Sequence, residues 1–182
     1  MLTGNREFNE IYEKYKNLVL KAAYIYSGEN YDAAEDITQE TFLKLYTRFD
    51  DLKGGNVSAW LFTTAKHAAL NYQEKHSHEV LSIDGDEPPE EPSRESAEEE
   101  YSKDALEKDR AKLHDRIFKE LLEKNPRWYE AIYLAYYMEI PQERVAAMMG
   151  MRLGALHTLL SRARKWIKKT YGVEYEEMNR KS

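Results

Sequence analysis

Residues 141–169, with the sequence PQERVAAMMGMRLGALHTLLSRARKWIKK, contain two helical patterns separated by a glycine. Pro141 suits the first turn of a short helix, and Gly150 suits the position just after its last residue. A second helix begins near Leu153 and runs past Lys169. Its apolar residues are spaced four, three and four apart and form a buried stripe: Leu156, Leu160, Ala163 and Ile167. These features predict a helix-turn-helix, whose second helix enters the major groove of DNA.

The opposite face of this second helix is polar and cationic. Its side chains are Thr158, Ser161, Arg162, Lys165 and Lys169, with Arg152 in the preceding turn. Arginine and hydroxyl groups are suited to phosphates and base edges. The alternative is a solvated basic helix in an ordinary bundle, but the short capped helix in front of it favours DNA binding.

An acidic segment separates this cationic end from the rest of the chain. Of 182 residues with a net charge of −6, residues 79–100 contain ten acidic side chains, one basic one and three of the five prolines. Such a segment cannot bury enough apolar surface to offset the entropy of ordering it. We therefore predict a flexible acidic linker at 79–100 between domains at 1–78 and 101–182. This linker is either a plain spacer or a segment that binds a partner, and its composition allows both roles.

Both predicted domains are helical, and no segment alternates with the period of a strand. In the first domain, Phe8 to Ala23 follow a helical pattern that ends near Gly28. A second helix is predicted from Asp32, as its cap, to about Arg48, and a third from Ser58, as its cap, to about Lys75. In the second domain, further helices are predicted from Leu106 to Asn125, where Pro126 ends the pattern, and from Arg127 to about Met138. The fold class is therefore all-α, with two small helical bundles.

The third helix carries a stripe that mixes an aromatic ring with hydrogen-bonding groups: Trp60, Thr64, His67, Asn71 and Lys75. Such a surface can stack on unpaired bases and hydrogen-bond to them. The alternative for Trp60 is a simple place in the core, and the sequence does not choose between the two.

The second helix has an acidic and partly apolar face, which includes Glu35, Asp36, Gln39, Leu43 and Tyr46. Carboxylates among apolar groups indicate a protein interface. The alternative is an acid–base pair made by Asp36 and Glu40, but no phosphate loop or nucleophile pattern accompanies them. We therefore do not predict an enzyme.

Composition excludes several other classes of protein. The chain has no cysteine and only five scattered histidines, so neither disulfides nor a metal or cofactor site is predicted. Its longest apolar run, AIYLAYYM, is far shorter than the ~20 residues that span a bilayer, and the N-terminus lacks the apolar core of a secretory signal. These features predict a cytoplasmic protein without direct membrane insertion.

Three segments in this order resemble the extracytoplasmic-function (ECF) sigma factors of bacterial RNA polymerase. AEDITQETFLKLY (34–46) resembles region 2.2 of that family, and SAWLFTTAKHAALNY (58–72) resembles regions 2.3 and 2.4. PQERVAAMMGMRLGALHTLLSRARKWI (141–167) resembles region 4, including its RAR tripeptide. The resemblance covers nearly the whole chain and implies a factor that directs core polymerase to promoter DNA and performs no bond chemistry itself.

The resemblance also implies roles for individual residues. The residues that dock on the coiled coil of the largest polymerase subunit correspond to Glu35, Asp36, Gln39, Glu40 and Tyr46. The pocket that captures a flipped base of the minus-ten element corresponds to His67 and Asn71. The residues that recognise the minus-thirty-five duplex correspond to Arg152, Thr158, Ser161 and Arg162. In the family the linker threads toward the polymerase active site, and an anti-sigma protein is a further partner.

Several positions depart from the family pattern, and all of them except His67 reduce the number of basic or phosphate-contacting residues. They are His67, Gln73, Glu74, Ala135, His157 and Leu159. Because each lost contact weakens the salt-dependent part of binding, we expect poor DNA affinity for the free protein and an unusual promoter preference. Two rivals to a sigma factor are a free-standing helix-turn-helix regulator, which would bind duplex DNA alone as a dimer, and a nucleic-acid-processing enzyme.

Overall fold

The computed structural model of the chain describes residues 5–80 and 103–180. Every regular element in these two ranges is helical, which confirms the all-α prediction. In chain order the elements are α1 (Arg6–Tyr26), α2 (Tyr31–Thr47), α3 (Phe49–Leu52), α4 (Val57–Val80), α5 (Lys103–Lys124), α6 (Pro126–Ile132), a π-helical stretch (Tyr133–Tyr137), α7 (Gln142–Met148) and α8 (Leu153–Arg180).

Backbone contacts divide the chain into two compact units. The first contains α1 to α4, and the short stretch Tyr136–Ile140 is grouped with it. The second contains α5, α6, α7 and α8. The predicted linker, 79–100, lies outside the described residues except for Glu79 and Val80, which end α4. The domain boundaries at 78 and 101 stay predictions.

The core of the first unit lies between α1, α2 and α4, which pack against one another in all three pairs. Its centre is aliphatic and aromatic, with Phe8, Phe42, Leu45 and Leu61 fully buried. The Tyr12 ring meets Phe42 edge-on at 4.9 Å between centroids, a favoured aromatic geometry. The apolar spacing in these helices is therefore explained by one shared core.

The predicted caps of α2 and α4 were wrong by two residues. The side chain of Asn30, rather than Asp32, accepts a hydrogen bond from the backbone of Ala33 at 2.9 Å. Asn56, rather than Ser58, accepts one from Ala59 at 3.0 Å. Asparagine is as good a cap as aspartate or serine, and the extended backbone of Asn30 (φ −91°, ψ 106°) gives it the capping position.

One helix end, one additional helix and one change of helix type also differ from the prediction. Helix α4 continues to Val80 instead of ending near Lys75, because no glycine or proline stops it there. The short helix α3 was not predicted. The single helix predicted for 127–138 is α6 followed by the π-helical stretch, a change of hydrogen-bond register that apolar spacing does not reveal.

The second unit is built on the apolar stripe predicted for its last helix. Leu156, Leu160 and Ala163 of α8 are buried, and Ile167 is half-buried. Helix α8 packs against α5, α6 and α7. Leu121 of α5 and Tyr129 of α6 are fully buried in this unit. Since α8 buries one stripe only, its remaining faces are available for other contacts.

Tyr171, at the junction of α5 and α8, should make the stability of the second unit depend on pH. Burial raises the pKa of Tyr171 to about 12, and the neighbouring Glu120 carboxylate adds to this effect. A phenol whose pKa is higher in the folded state stabilises the fold fully below its unfolded pKa of 10.0. We expect that stability to fall as pH rises from about 10 towards 12.

Thermal unfolding at pH 9 and pH 11.5 tests this expectation. The variant Tyr171→Phe should lose less melting temperature between the two values than the unmodified chain, because it has no phenol at this site to ionise. Tyr175→Phe, at a tyrosine that is 49% exposed, is the matched control and should behave like the unmodified chain. Equal losses in all three proteins would show that Tyr171 does not cause the pH dependence.

Candidate functional site

Helix α2 divides into a buried face and an acidic exposed face. Ala34, Ile37 and Leu45 lie in the core. The hydroxyls of the buried Thr38 and Thr41 each donate to the carbonyl four residues earlier, both at 2.7 Å, so they leave no unmet polar group. The opposite face exposes four of the predicted polymerase-binding residues: Glu35, Asp36, Gln39 and Glu40.

Two large apolar side chains complete this face. Leu43 is 51% exposed and Tyr46 is 45% exposed. The Tyr46 ring rests edge-on against Phe8, with 5.1 Å between centroids, so its position is fixed by the core. Glu40 pairs with Lys44 at 2.7 Å, an exposed ion pair that contributes little to stability. The five predicted residues and Leu43 therefore form one surface, called here the α2 face.

The predicted stripe on α4 is exposed along only part of its length. His67, Asn71 and Lys75 are exposed, whereas Trp60 and Thr64 are half-buried. Trp60 packs against the core of the first unit, in line with the core alternative that the sequence left open. The surface available to a ligand therefore begins near His67 and extends toward the C-terminal end of α4.

Three further residues lie on this same side of α4 and were not singled out as ligand-binding from the sequence. Thr63 and Glu74 are exposed, and Leu70 is 39% exposed. Residues three or four positions apart lie on the same side of a helix. Thr63 and Leu70 are four and three positions from His67, and Glu74 is three positions from Asn71. Helical spacing could have identified them, but an isolated leucine in such a pattern is usually assigned to the core. These residues with His67, Asn71 and Lys75 are called here the α4 face.

In the second unit the turn between α7 and α8 has the geometry of a glycine-capped helix end. Gly150 adopts a left-handed conformation with φ of 64°, which favours glycine. The amides of Gly150 and Met151 donate to the carbonyls of Ala147 and Ala146 at 3.2 and 2.9 Å. The predicted role of Gly150 is confirmed, and only four residues separate the end of α7 from the start of α8.

Helix α8 presents its predicted DNA-binding residues on the side away from the core. Thr158, Arg162 and Lys165 are exposed, and Ser161 is half-buried. At about 100° per residue, this side is nearly opposite to the stripe of Leu156, Leu160 and Ala163. Arg152 is exposed just before the helix begins. All five residues therefore lie outside the core of the second unit, where a ligand can reach them.

One contact that supports this turn was not predicted. The guanidinium of Arg127, at the start of α6, donates a hydrogen bond from Nη2 to the carbonyl oxygen of Met149 at 3.1 Å. Arginine near the C-terminal end of a helix satisfies its last carbonyls. Arg127 and Met149 are far apart in sequence, so no local pattern signals this contact.

Among the described helices, none is long and apolar enough to cross a membrane.

Comparisons with known proteins match a family model to the first unit and find relatives that span most of the chain. The family model for sigma-70 region 2 matches residues 11–79, which span most of the first unit. The ECF RNA polymerase sigma factor SigM of Bacillus subtilis is 26% identical over 90% of this chain and 94% of its own length. The RNA polymerase sigma factor YlaC of the same organism is 24% identical over 92% of this chain and 94% of its own length.

A third relative and a solved structure agree with these matches. The ECF RNA polymerase sigma factor EcfG of Rhodopseudomonas palustris is 29% identical over 80% of this chain and 75% of its own length. The fold resembles that of the sigma factor RpoE from Bartonella quintana, solved in complex with the anti-sigma factor NepR, with a TM-score of 0.55 and 22% identity. That likeness covers 91% of this chain and 96% of the other. Most of the first unit therefore matches the sigma-70 region 2 family, and the chain is similar over most of its length to ECF RNA polymerase sigma factors.

Proposed function

We propose that the α2 face binds core RNA polymerase, that the α4 face opens and holds the minus-ten element, and that α8 reads the minus-thirty-five duplex. The observation that carries this proposal is the separation of three exposed chemistries on three helices. Each lies opposite a buried stripe: an acidic and apolar face on α2, a hydrogen-bonding face on α4 and a cationic face on α8.

The α2 face has the composition of a protein interface rather than of a DNA-binding surface. Exposed carboxylates at Glu35 and Asp36 repel phosphates, whereas Leu43 and Tyr46 offer apolar area at the same surface. Aromatic anchors of this kind, held in place before binding, are common hot spots of protein complexes. This face supports polymerase as the partner and does not fit the rival regulator, which needs no such surface.

The α4 face and α8 suit two different forms of DNA. The α4 face offers an imidazole, an amide and an ammonium group, which suit the edges and phosphates of unpaired bases. Exposed arginine and hydroxyl groups on α8 suit the major groove. We propose that the polymerase supplies all bond chemistry and that the protein acts in the cytoplasm, where the polymerase works. An anti-sigma protein is a further proposed partner, by analogy with the RpoE complex with NepR.

Transcription reconstituted from purified components tests the proposed function. Core polymerase with this chain should produce promoter-specific transcripts, and core polymerase alone should not. The chain alone should bind promoter duplex weakly, because its departures from the family pattern reduce the number of phosphate contacts. Tight, polymerase-independent binding to duplex DNA, with no stimulated transcription, would instead identify a free-standing regulator.

Glu74 provides a prediction about the α4 face. Its carboxylate is exposed beside the residues proposed to bind DNA, where it repels phosphates. We expect Glu74→Arg to increase the affinity of the holoenzyme for a single-stranded minus-ten oligonucleotide several-fold. The slope of log affinity against log salt should steepen by roughly 0.7, as expected for one added phosphate contact.

Glu7→Arg is the control for this variant, since it makes the same charge change at an exposed position of α1. Fluorescence anisotropy at several salt concentrations measures both quantities. An equal increase for both variants would show that net charge, rather than the α4 face, determines the binding.

A further inference from the structure

The turn between α1 and α2 has a closed and unusual shape. Ser27 is buried, and its hydroxyl lies within hydrogen-bond distance of the carbonyl oxygens of Tyr24 (3.1 Å) and Asn30 (3.3 Å). Gly28 and Glu29 both adopt left-handed backbone conformations, with φ of 79° and 63°. This conformation costs free energy for a residue with a side chain, so other contacts must hold Glu29 in it. The turn therefore delivers Asn30 in a defined position.

The same turn also lies close to α4. A Cβ atom added at Gly28 would be 3.4 Å from Nε2 of Gln73, which is van der Waals contact distance. The close approach brings the start of α2 beside the C-terminal half of α4, which carries the exposed part of the α4 face.

Asn30 uses both ends of its carboxamide at this place. Its Oδ1 accepts from the backbone of Ala33 at 2.9 Å and so caps α2. Because a backbone N–H needs an acceptor, this contact assigns the oxygen and leaves the NH₂ group on the other side. That group donates to the hydroxyl of Tyr72, on α4, at 3.2 Å. One side chain thus joins the first turn of α2 to α4.

Tyr72 is itself held on two other sides. Its ring packs against the core of the first unit, and it stacks on His76 with 5.6 Å between centroids and 12° between planes. Tyr72 directly follows Asn71 and precedes Lys75 by less than one turn. Fixing the Tyr72 hydroxyl therefore fixes the turn of α4 that exposes two proposed DNA-binding residues.

We propose that Asn30 and Tyr72 are positioning residues, which hold the DNA-binding turn of α4 in register with the polymerase-binding helix α2. This inference rests on the proposed function, because it gives the two helices those two partners. If α2 is fixed on the polymerase, any movement of α4 relative to α2 also moves the opened DNA strand relative to the polymerase. The Asn30–Tyr72 hydrogen bond prevents this movement without contacting the polymerase or the DNA.

A double-mutant cycle tests the inference. Tyr72→Phe keeps the ring and its stacking but removes the hydroxyl. Asn30→Ser keeps a good helix cap with a side chain too short to reach Tyr72. In holoenzyme with full-length chain, each variant should form open promoter complexes about 2- to 10-fold less well, the range expected for one hydrogen bond. The double variant should lose no more than a single one, because both remove the same bond.

Further variants and a second readout separate positioning from a general structural role. Affinity for core polymerase should stay within about twofold of the unmodified value, since one neutral hydrogen bond away from the α2 face is removed. Asn30→Asp should retain open-complex formation, because it caps α2 and can accept a hydrogen bond from the Tyr72 hydroxyl. Ser77→Ala, which removes a hydroxyl that donates to the Glu74 carbonyl within α4, should have no effect.

Several results would overturn the inference. Unchanged open-complex formation, additive losses in the double variant or an equal loss of polymerase affinity would each contradict it. Loss of helical content by circular dichroism in Tyr72→Phe would show that the bond maintains the fold instead. If the unmodified chain itself fails to bind polymerase or to open promoters, the proposed function fails and the inference fails with it, so the two failures are distinguishable.

Discussion

The combined substitution of Asp36→Ala and Gln39→Ala should lower the affinity for core RNA polymerase by roughly 1,000-fold. Both side chains are exposed at the centre of the α2 face, between Glu35 and Leu43. Hot-spot residues, which cluster near the centre of an interface, cost about 2 kcal/mol or more each when truncated, and two such residues, about 4 kcal/mol, correspond to this loss. Because neither side chain contributes to the core, the first unit should keep its helical content and its melting temperature.

A matched control makes this result specific to the α2 face. The combined variant Asn17→Ala with Asp51→Ala also removes one amide and one carboxylate, both exposed in the same unit but outside α2. It should bind polymerase like the unmodified chain in a titration followed by fluorescence or by size exclusion. Equal affinities of the two double variants would contradict the assignment of the α2 face.

The second large effect is expected at Arg162. Its exposed guanidinium lies on the outward side of α8, where a bidentate contact to a guanine is worth about 1 to 3 kcal/mol. Arg162→Ala should therefore reduce transcription that depends on the upstream promoter element by roughly 5- to 150-fold. Transcription from a promoter with a scrambled upstream element should change little, since that contact is absent there.

Arg164 provides the matched control for this variant. It is exposed only two residues along α8, which places it on nearly the opposite side of the helix. Arg164→Ala removes the same charge but should retain the preference for the specific upstream element. If both variants lose that preference equally, or if the unmodified protein transcribes specific and scrambled promoters alike, Arg162 does not read the upstream duplex.

Much of the fold could be predicted because the core uses helical spacing of apolar residues. The stripe of Leu156, Leu160 and Ala163 is an example, and its burial determines which side of α8 remains exposed. The positive φ of Gly150 is another, since a residue without Cβ is favoured at that position. Predictions of this kind succeed because one local rule decides them.

Other features depend on choices that no local rule makes. In the segment Asn30, Tyr31, Asp32, two residues can cap a helix, and the backbone conformation delivered by the preceding turn selects Asn30. The half-burial of Trp60 depends on how α1 and α2 pack against α4. The bonds from Asn30 to Tyr72 and from Arg127 to Met149 join residues that are distant in sequence, so only the tertiary structure reveals them.

Binding to core RNA polymerase, followed by promoter opening, is the most direct test of the proposed function. The purified chain is mixed with core polymerase and separated by size exclusion, and the complex is then incubated with a fragmented genomic DNA pool. We expect the chain to elute with polymerase and the complex to open a selected set of fragments, which share minus-ten and minus-thirty-five elements. Separate elution, together with tight binding of duplex DNA by the chain alone, would contradict it.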